Sequence, residues 1–391
     1  MDLELLRELC FNHSKETSIA CVDNGLPDWI FTNQVLRHSN TDYFSIGLYA
    51  QDEFKPLLLL RQHEIALVFL LVYTIDGQDN LLLSLRTEPG LIGLTNLSTT
   101  IQSTPSNYQR KHGGKETPLI HLALDPLSSG RVLYEGFHHD WGEYYLNKIK
   151  KFLIVRPTSF VKAPEGFCWV PLDTAKQLLL ENHLVTNDLR VAMTLLPCEH
   201  RDSEHGGTPS LCTPPHYSSL HPLTLSPNVV DCRGVRFLFF RTETNVREVN
   251  SWIQPLLIPN GHLEICLFFS QGPTGKIFAI KKRTQPGLQG IQLWFPAHKV
   301  DGKIMRSVKT SAEGGRFWQF EIHIQLIELE LTQSQVADLD LVEDLHPSCD
   351  ADESERWISE QNLSLLVSLS LQTSLELRMA WSLVYAEENS A

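Results

Sequence analysis

Short apolar runs recur along this chain in two blocks. The first block holds FSIGLYA (44–50), IALVFLLVY (65–73) and NLLLSLRT (80–87); the second holds RFLFFRT (236–242), HLEICLFFS (262–270) and KIFAIKKRT (276–284). Their β-branched, leucine and aromatic content predicts strands, and turn dipeptides such as Asp76-Gly77 and Gly272-Pro273 separate them. A further strand is expected in each block, KKFLIVRP (150–157) and FEIHIQLIELEL (320–331). Helical spacing follows: in the first block it begins at Asp173, read as an N-cap, runs through Leu178-Leu179, restarts near Asn187 and stops at Pro197. Strands followed by closing helices predict a mixed sheet of the α+β class. The most apolar stretch, residues 57–73, is interrupted by Arg61, His63 and Glu64, so it predicts buried strands rather than a membrane span.

The two blocks are copies of one unit. LRTEPGLIG (85–93) returns as KRTQPGLQG (282–290), an offset of 197 positions from Arg86 to Arg283. Phe54-Lys55-Pro56-Leu57-Leu58 faces Ile253-Gln254-Pro255-Leu256-Leu257 at an offset of 199 positions. Further on, Trp169 pairs with Trp357, and DLRVAMTLL (188–196) with ELRMAWSLV (376–384), at an offset of 188 positions from Asp188 to Glu376. A tandem duplication predicts an N-terminal arm (1–39), a first domain (40–197), a linker (198–232) rich in Pro, Ser and His, and a second domain (233–391). The cysteines and histidines of the linker match no zinc spacing, and no metal site is expected.

Composition narrows the class. The chain has 391 residues, 42% hydrophobic and 20% charged, enough for two globular cores. A net charge of −13 argues against nonspecific nucleic-acid or anionic-membrane binding, which needs a basic face. Eight scattered cysteines without a C-x-x-C pair predict reduced thiols in cytoplasm, and the acidic N-terminus MDLELLRELC does not read as a signal peptide.

The copies differ in their central loops. HDWGEYY (139–145) and SAEGGRF (311–317) occupy the same place before the next strand, which equates Gly142 with Gly314. Gly90 to Gly142 spans 52 positions and Gly287 to Gly314 only 27, so the first copy keeps about 25 residues that the second lacks. That extra segment includes LSTTIQSTPSNYQRKHGGKE (97–116), whose hydroxyls, amides and cations suit a sugar or nucleotide, or simply a solvated loop.

The EPG turn at Glu88-Pro89-Gly90, then LSTTIQSTPSNY, a strand, a polar stretch with glycine and the closing LVTNDLRVAMTLLP resemble the NDP-hexose 2,3-dehydratases of deoxysugar biosynthesis. The resemblance extends over nearly all of residues 25–385, and its second half returns as SWIQPLL, RTQPG and SAEGGRF. It implies two tandem Nudix-like domains, usually paired into a homodimer, with one catalytic and one vestigial site. It implies action on a dTDP-4-keto-6-deoxyhexose with no metal or redox cofactor for the elimination. A separate NADPH-dependent 3-ketoreductase would then take the 3,4-diketo-2,6-dideoxy product. The R-E-x-x-E-E run of Nudix hydrolases is missing from both copies, so the likeness is one of fold.

Such an elimination needs a base for the proton beside the ketone, an acid for the departing hydroxyl and donors for the enolate. His138, His139 and Asp140, beside Gly142, are candidates for acid and base, with surface histidines at a turn as the plain alternative. Glu88, which is Gln285 in the second copy, either caps its turn or touches the sugar. Tyr108 is the candidate phenol, or else a packed loop anchor. Gln102, Ser106 and Asn107 would meet sugar hydroxyls or the base, Arg86 and Lys148 the diphosphate, and Trp141 or Tyr144 would stack on thymine. Trp252, Gln254, Arg283 and Arg316 form the matching set in the second copy. Arg86 and Arg283 also end apolar strands, where a cation can simply reach solvent.

Three departures from the family pattern stand out. Glu53-Phe54-Lys55-Pro56 replaces Trp-x-Gln-Pro, which the second copy keeps at Trp252-Ile253-Gln254-Pro255. His138-His139-Asp140 replaces an expected Gln-Ser-Glu, and the second copy lacks a counterpart of Gln102 to Tyr108. A degenerate nucleotide-sugar-binding or interaction protein on the same fold is the alternative reading.

Overall fold

The protein is seen in a computed structural model that describes all residues except 1, 26, 33, 41–42, 51–55, 112, 197–219, 227, 289–290, 298–300, 343–353 and 388–391. The fold is mixed α+β, as the alternation of apolar runs predicts. Strand Ala66–Ile75 is hydrogen-bonded in parallel to Ile149–Pro157 and antiparallel to Gln78–Thr87. Gly130–His139 and Phe167–Pro171 extend this sheet on its two sides. The second repeat rebuilds it: Leu263–Gly272 lies parallel to Glu321–Glu328, with Lys303–Ser311, Gly275–Arg283 and Glu355–Ser359 in the corresponding places. Even the irregularity is copied, since the register slips between Val132 and Tyr134 in one repeat and between Ile304 and Arg306 in the other.

Because the parallel pair is covered on both faces, its strands read as nearly unbroken apolar runs, and Val68 to Leu71 is buried throughout. Helices Asn187–Thr194 and Leu375–Glu387 pack against each other, so the two repeats share one large core. Thr186 caps the first of these helices, its hydroxyl accepting from the Leu189 amide. The preceding helix, Leu172–Leu178, follows Pro171 at the N-cap; Asp173 sits in its first turn rather than at the cap expected.

Two further small sheets join the expected arm to the repeats. Thr17–Val22 pairs with Arg236–Thr244, and Trp29–Phe31 and Val35–His38 continue into Ser45–Ala50. His221–Leu223, inside the span read as a linker, is also a strand on Ser45–Ala50, and Asp231 is buried, accepting from the Leu58 and Val235 amides. Residues 197–219 of that span lie outside the described residues.

The repeated Pro-Gly turns lock the halves together. The Gly90 amide donates to Gly314 at 2.8 Å, and the Gly287 amide donates to Gly142 at 2.7 Å. A side chain at Gly90 would meet the Phe317 carbonyl oxygen at 1.6 Å, and one at Gly287 the Tyr145 carbonyl oxygen at 1.8 Å. Glycine is therefore required by the approach of backbone to backbone, with the obstacle unable to rotate away. Gly287→Ala is expected to cost roughly 3 kcal/mol of stability, the upper part of the overpacking range, read as a lower urea midpoint. A change under about 1 kcal/mol would show that the junction is looser than described.

Candidate active site

The junction opens on one side into a cleft of about 470 Å³ that takes walls from both repeats. The first repeat supplies Arg86, Glu88, Gln102, Asn107, Lys111 and Lys150; the second supplies Arg247, Trp252, Gln254, Glu313 and Arg316. Strand Gln78–Thr87 ends by delivering Arg86 to the cleft, where its Nε donates to Glu88 Oε1 at 2.8 Å and its Nη1 to the Gln102 carbonyl at 2.8 Å. Glu88 Oε2 accepts from the Gly315 amide at 3.0 Å, so the EPG carboxylate touches both repeats. Burial works against the Arg86 cation, but Glu88, Glu248 and Glu313 outweigh it and its pKa is raised.

Behind the cleft lies a compact charge cluster. Alternation along Ile149–Pro157 turns Lys150 inward, where Nζ reaches Asp188 Oδ1 at 2.7 Å, Asp140 Oδ2 at 3.0 Å and Glu313 Oε2 at 3.8 Å. Lys148 Nζ lies 2.6 Å from Glu313 Oε2 and 3.1 Å from Asp140 Oδ2, and Tyr145 Oη donates to Glu313 Oε2 at 2.8 Å. Burial alone would lift the pKa of Glu313, yet Lys148 and Lys150 bring it well below the usual carboxylate range. Asp140 is lowered by the same two cations against the same burial. Asp188 goes the other way: burial, with Asp140 and Glu313 nearby, raises it despite Lys150. Burial opposes the Lys150 cation, but the carboxylates prevail and its pKa is raised. Asp140 and Glu313 are thus shifted toward the ionised form and Asp188 the opposite way, so neighbouring carboxylates of one cluster differ in proton affinity.

The structure sorts the expected site residues into three groups. Arg86, Glu88, Gln102 and Asn107 line the cleft, as do Trp252, Gln254 and Arg316. These last three were expected to build a separate site in the second repeat; instead they complete the first repeat's cleft. Asp140 borders a smaller recess of about 20 Å³ behind the cleft, and Lys148, expected at the diphosphate, is fully buried in the charge cluster.

The others lie elsewhere. His138 and His139 are enclosed at the end of Gly130–His139, and neither lines the cleft. His138 Nε2 pairs with Tyr134 Oη at 2.7 Å, and burial then Arg378 hold its pKa well below 6.5. Tyr108 packs beside the apolar cluster around Phe69 and Ile101. Ser106 donates from its amide and hydroxyl to Glu64, at 3.0 and 2.6 Å. Trp141 and Tyr144 form an aromatic plug with Phe317 and Phe320. The Arg283 guanidinium sits 4.1 Å over the Phe295 ring.

The plug explains the asymmetry of the repeats. Equating Gly142 with Gly314 sets Trp141 against Glu313, Tyr144 against Arg316 and Lys150 against Ile322; the earlier offsets set Glu88 against Gln285 and Asp188 against Glu376. At the second position Trp141 Nε1 donates to Glu376 Oε1 at 3.1 Å, and Gln285 Nε2 donates to the same oxygen at 2.5 Å. An indole thus stands where the first site has a carboxylate, and an isoleucine where it has Lys150, while Arg283 keeps the place of Arg86.

Sequence reading missed Lys150, Glu313, Asp188, Lys111, Arg247 and Glu248. Lys150 was signalled by its place in a period-two apolar strand, and Glu313 by SAEGGRF, but the charge only acquires meaning once the repeats face each other.

Burial, followed by the Arg378 charge, lowers the His139 pKa from 6.5 to about 4, and among the described residues neither ring nitrogen has a hydrogen-bond partner. The unfolded chain therefore takes up this proton before the folded one does. Stability from this group is complete above pH 6.5 and is lost as pH falls toward 4, about 3 kcal/mol in all. His139→Asn is expected to lose less stability than the parent between pH 7 and pH 4.5 in urea unfolding; equal losses would contradict the assignment.

Fold and site together define a protein of two related, sheet-rich halves with a composite cleft, charged and polar, at their junction. Residues 13–196, a little under half of the chain, match the family model described as NDP-hexose 2,3-dehydratase. It is 31% identical over 265 residues to a dTDP-4-dehydro-6-deoxy-alpha-D-glucopyranose 2,3-dehydratase of Streptomyces violaceoruber, covering 58% of this chain and 59% of that protein. It is 28% identical over 182 residues to the protein of the same name from Saccharopolyspora spinosa, covering 44% and 37%. With that of Amycolatopsis orientalis it shares 30% over 139 residues, covering 36% and 29%. The matched stretches thus span less than two thirds of each relative. No helix among the described residues is long and apolar enough to cross a membrane.

Proposed function

We propose that the composite cleft removes water from a nucleotide-linked 4-keto-6-deoxyhexose, giving a 3,4-diketo-2,6-dideoxyhexose. The observation that carries this reading is the meeting of Glu88, Lys150 and Glu313 around one cleft, where the second repeat has Gln285, Ile322 and Trp141. The names of the relatives support the substrate class, with thymidine diphosphate as the carrier.

Glu88 takes the proton from carbon 3, made acidic by the carbonyl at carbon 4. The electron pair forms the enolate, then the carbon 2–carbon 3 double bond as the carbon 2–oxygen bond breaks. Water leaves with a proton delivered from the Asp188–Lys150 pair, and the enol at carbon 3 tautomerises to the ketone. Atoms balance as the loss of one water, with no oxidant required. Lys150 and Arg86 stabilise the enolate charge in a site largely shielded from solvent. Lys111, Arg247 and Arg316 meet the diphosphate at the mouth, and Trp252 offers a face to the base. The reactive diketone calls for prompt reduction by a separate NADPH-dependent 3-ketoreductase. Nudix-like domain ancestry, a homodimer and a cytoplasmic setting belong to the same proposal.

The test is turnover in deuterated water, with the ketoreductase and NADPH present. A 2,6-dideoxy product carrying deuterium at carbon 2 supports the elimination. Saturable binding of the substrate without turnover would instead favour a binding protein that has lost the chemistry.

A further inference from the structure

A second cluster of reactive side chains stands on the outer face of the second repeat's sheet, away from the cleft. Glu264 and His323 are register partners on the parallel strands Leu263–Gly272 and Glu321–Glu328, so their side chains emerge side by side. His262, one position before the first strand, folds over them, its ring 4.1 Å from that of His323 and inclined by 19°. Three donor atoms converge: His262 Nε2 is 2.9 Å from Glu264 Oε1, His323 Nδ1 is 3.5 Å from the same oxygen, and all three lie within 4.8 Å of one another. Ligands about 2.0–2.2 Å from a tetrahedral zinc ion are themselves about 3.3–3.6 Å apart, a spacing that the separations here bracket, so small side-chain shifts would complete a first shell.

An independent observation comes from the far side of His323. Its Nε2 is bound to Glu321 Oε1, which fixes the ring with Nδ1 turned toward Glu264 and His262. A carboxylate on the second nitrogen is how metal-binding imidazoles are oriented and made more basic. Glu321 is itself held by Lys309 Nζ at 3.2 Å and by His183 of the first repeat at 3.0 Å. The His183 amide also donates to the Lys309 carbonyl, and the Lys309 amide to Asn182 Oδ1. The cluster is therefore tied through Glu321 to the seam between the repeats.

We propose that His262, Glu264 and His323 form a structural site for a borderline divalent cation, zinc in the first instance, with Glu321 as the orienting group and an open position toward solvent. Two imidazoles and one carboxylate favour zinc over magnesium, which prefers an all-oxygen shell. Binding only the folded arrangement, the ion stabilises the seam by mass action.

The experiment uses the full chain stripped with a chelator and titrated with zinc chloride against a chromophoric competitor at pH 7.5, with millimolar magnesium throughout. Because Cys198, His200, His205, Cys212 and His216 also bear potential ligands, the decisive comparison is with a His262→Ala/His323→Ala variant. His262 is exposed and His323 half-buried at the edge of its cluster, and circular dichroism checks that this variant folds. The parent is expected to bind one more equivalent than the variant and to gain thermal stability with zinc; Glu321→Gln should weaken that equivalent by about 10–100-fold. Equal zinc binding by parent and double variant, or no binding by either, overturns the proposal, as does a Glu321→Gln variant with unchanged affinity.

Discussion

Glu88→Gln is expected to lower turnover by about 10²–10⁴-fold, the range for removing a positioned acid or base, while substrate still binds. The replacement is isosteric and copies what the second repeat already has at Gln285. The amide can still accept from Arg86 or from the Gly315 amide, so the cleft keeps its shape while the proton acceptor is lost. Single-turnover kinetics with the deuterium readout separate chemistry from binding. Turnover within tenfold of the parent would remove Glu88 from the chemistry and leave Arg86, Lys150 and Glu313 as a binding surface only.

Lys150→Met carries the largest expected effect on stability. Lys150 lies among Asp140, Asp188 and Glu313; without it Asp188 loses its lysine partner and Lys148 is left to pair with Asp140 and Glu313. Breaking a buried ion pair from one side costs about 3–5 kcal/mol, because the orphaned charge stays in the interior. The sign of its pH dependence follows from Asp188, whose folded pKa is already raised by burial and rises further without the lysine. A raised folded pKa favours the folded state at low pH, so the deficit should shrink as pH falls and widen as it rises past that pKa. Urea unfolding at pH 5 and pH 8 measures both, and Lys150→Met/Asp188→Asn should recover part of the loss. A deficit below about 1 kcal/mol, or one larger at pH 5, would show that the cluster is more solvated than its geometry indicates.

The duplication also accounts for what became of the second site. A functional cleft here needs a turn from its own repeat and a loop from the other. On the proposed function, having Ile322 and Trp141 in place of Lys150 and Glu313 disables one cleft without disturbing its partner. Once unused, that position could take on aromatic packing, and Trp141, Tyr144, Phe317 and Phe320 now bind the two halves together.

Much of this was legible in the residues. Short apolar runs located the sheet strands, Thr186 and Pro171 bound the helices within a residue or two of where spacing put them, and the two Pro-Gly turns marked the duplication. Arg86 and Glu88 were found because they end an apolar strand at a turn that the second copy carries with its carboxylate changed to an amide. His138 and His139 misled because proximity to Gly142 in sequence says nothing of direction: on a buried edge of the sheet their rings turn into the core, and burial keeps them neutral.

Sequence alone settled the class of fold, the doubling and the turn that bears the carboxylate, since these depend on local periodicity and on one chain repeating itself. Only the tertiary structure decided that Glu313 and Arg316 serve the other repeat's cleft, and that Lys150 stands among three acids. The pairings with Glu313 join residues more than a hundred positions apart and that of Lys150 with Asp188 spans 38, and no local pattern records which turn a distant backbone will meet.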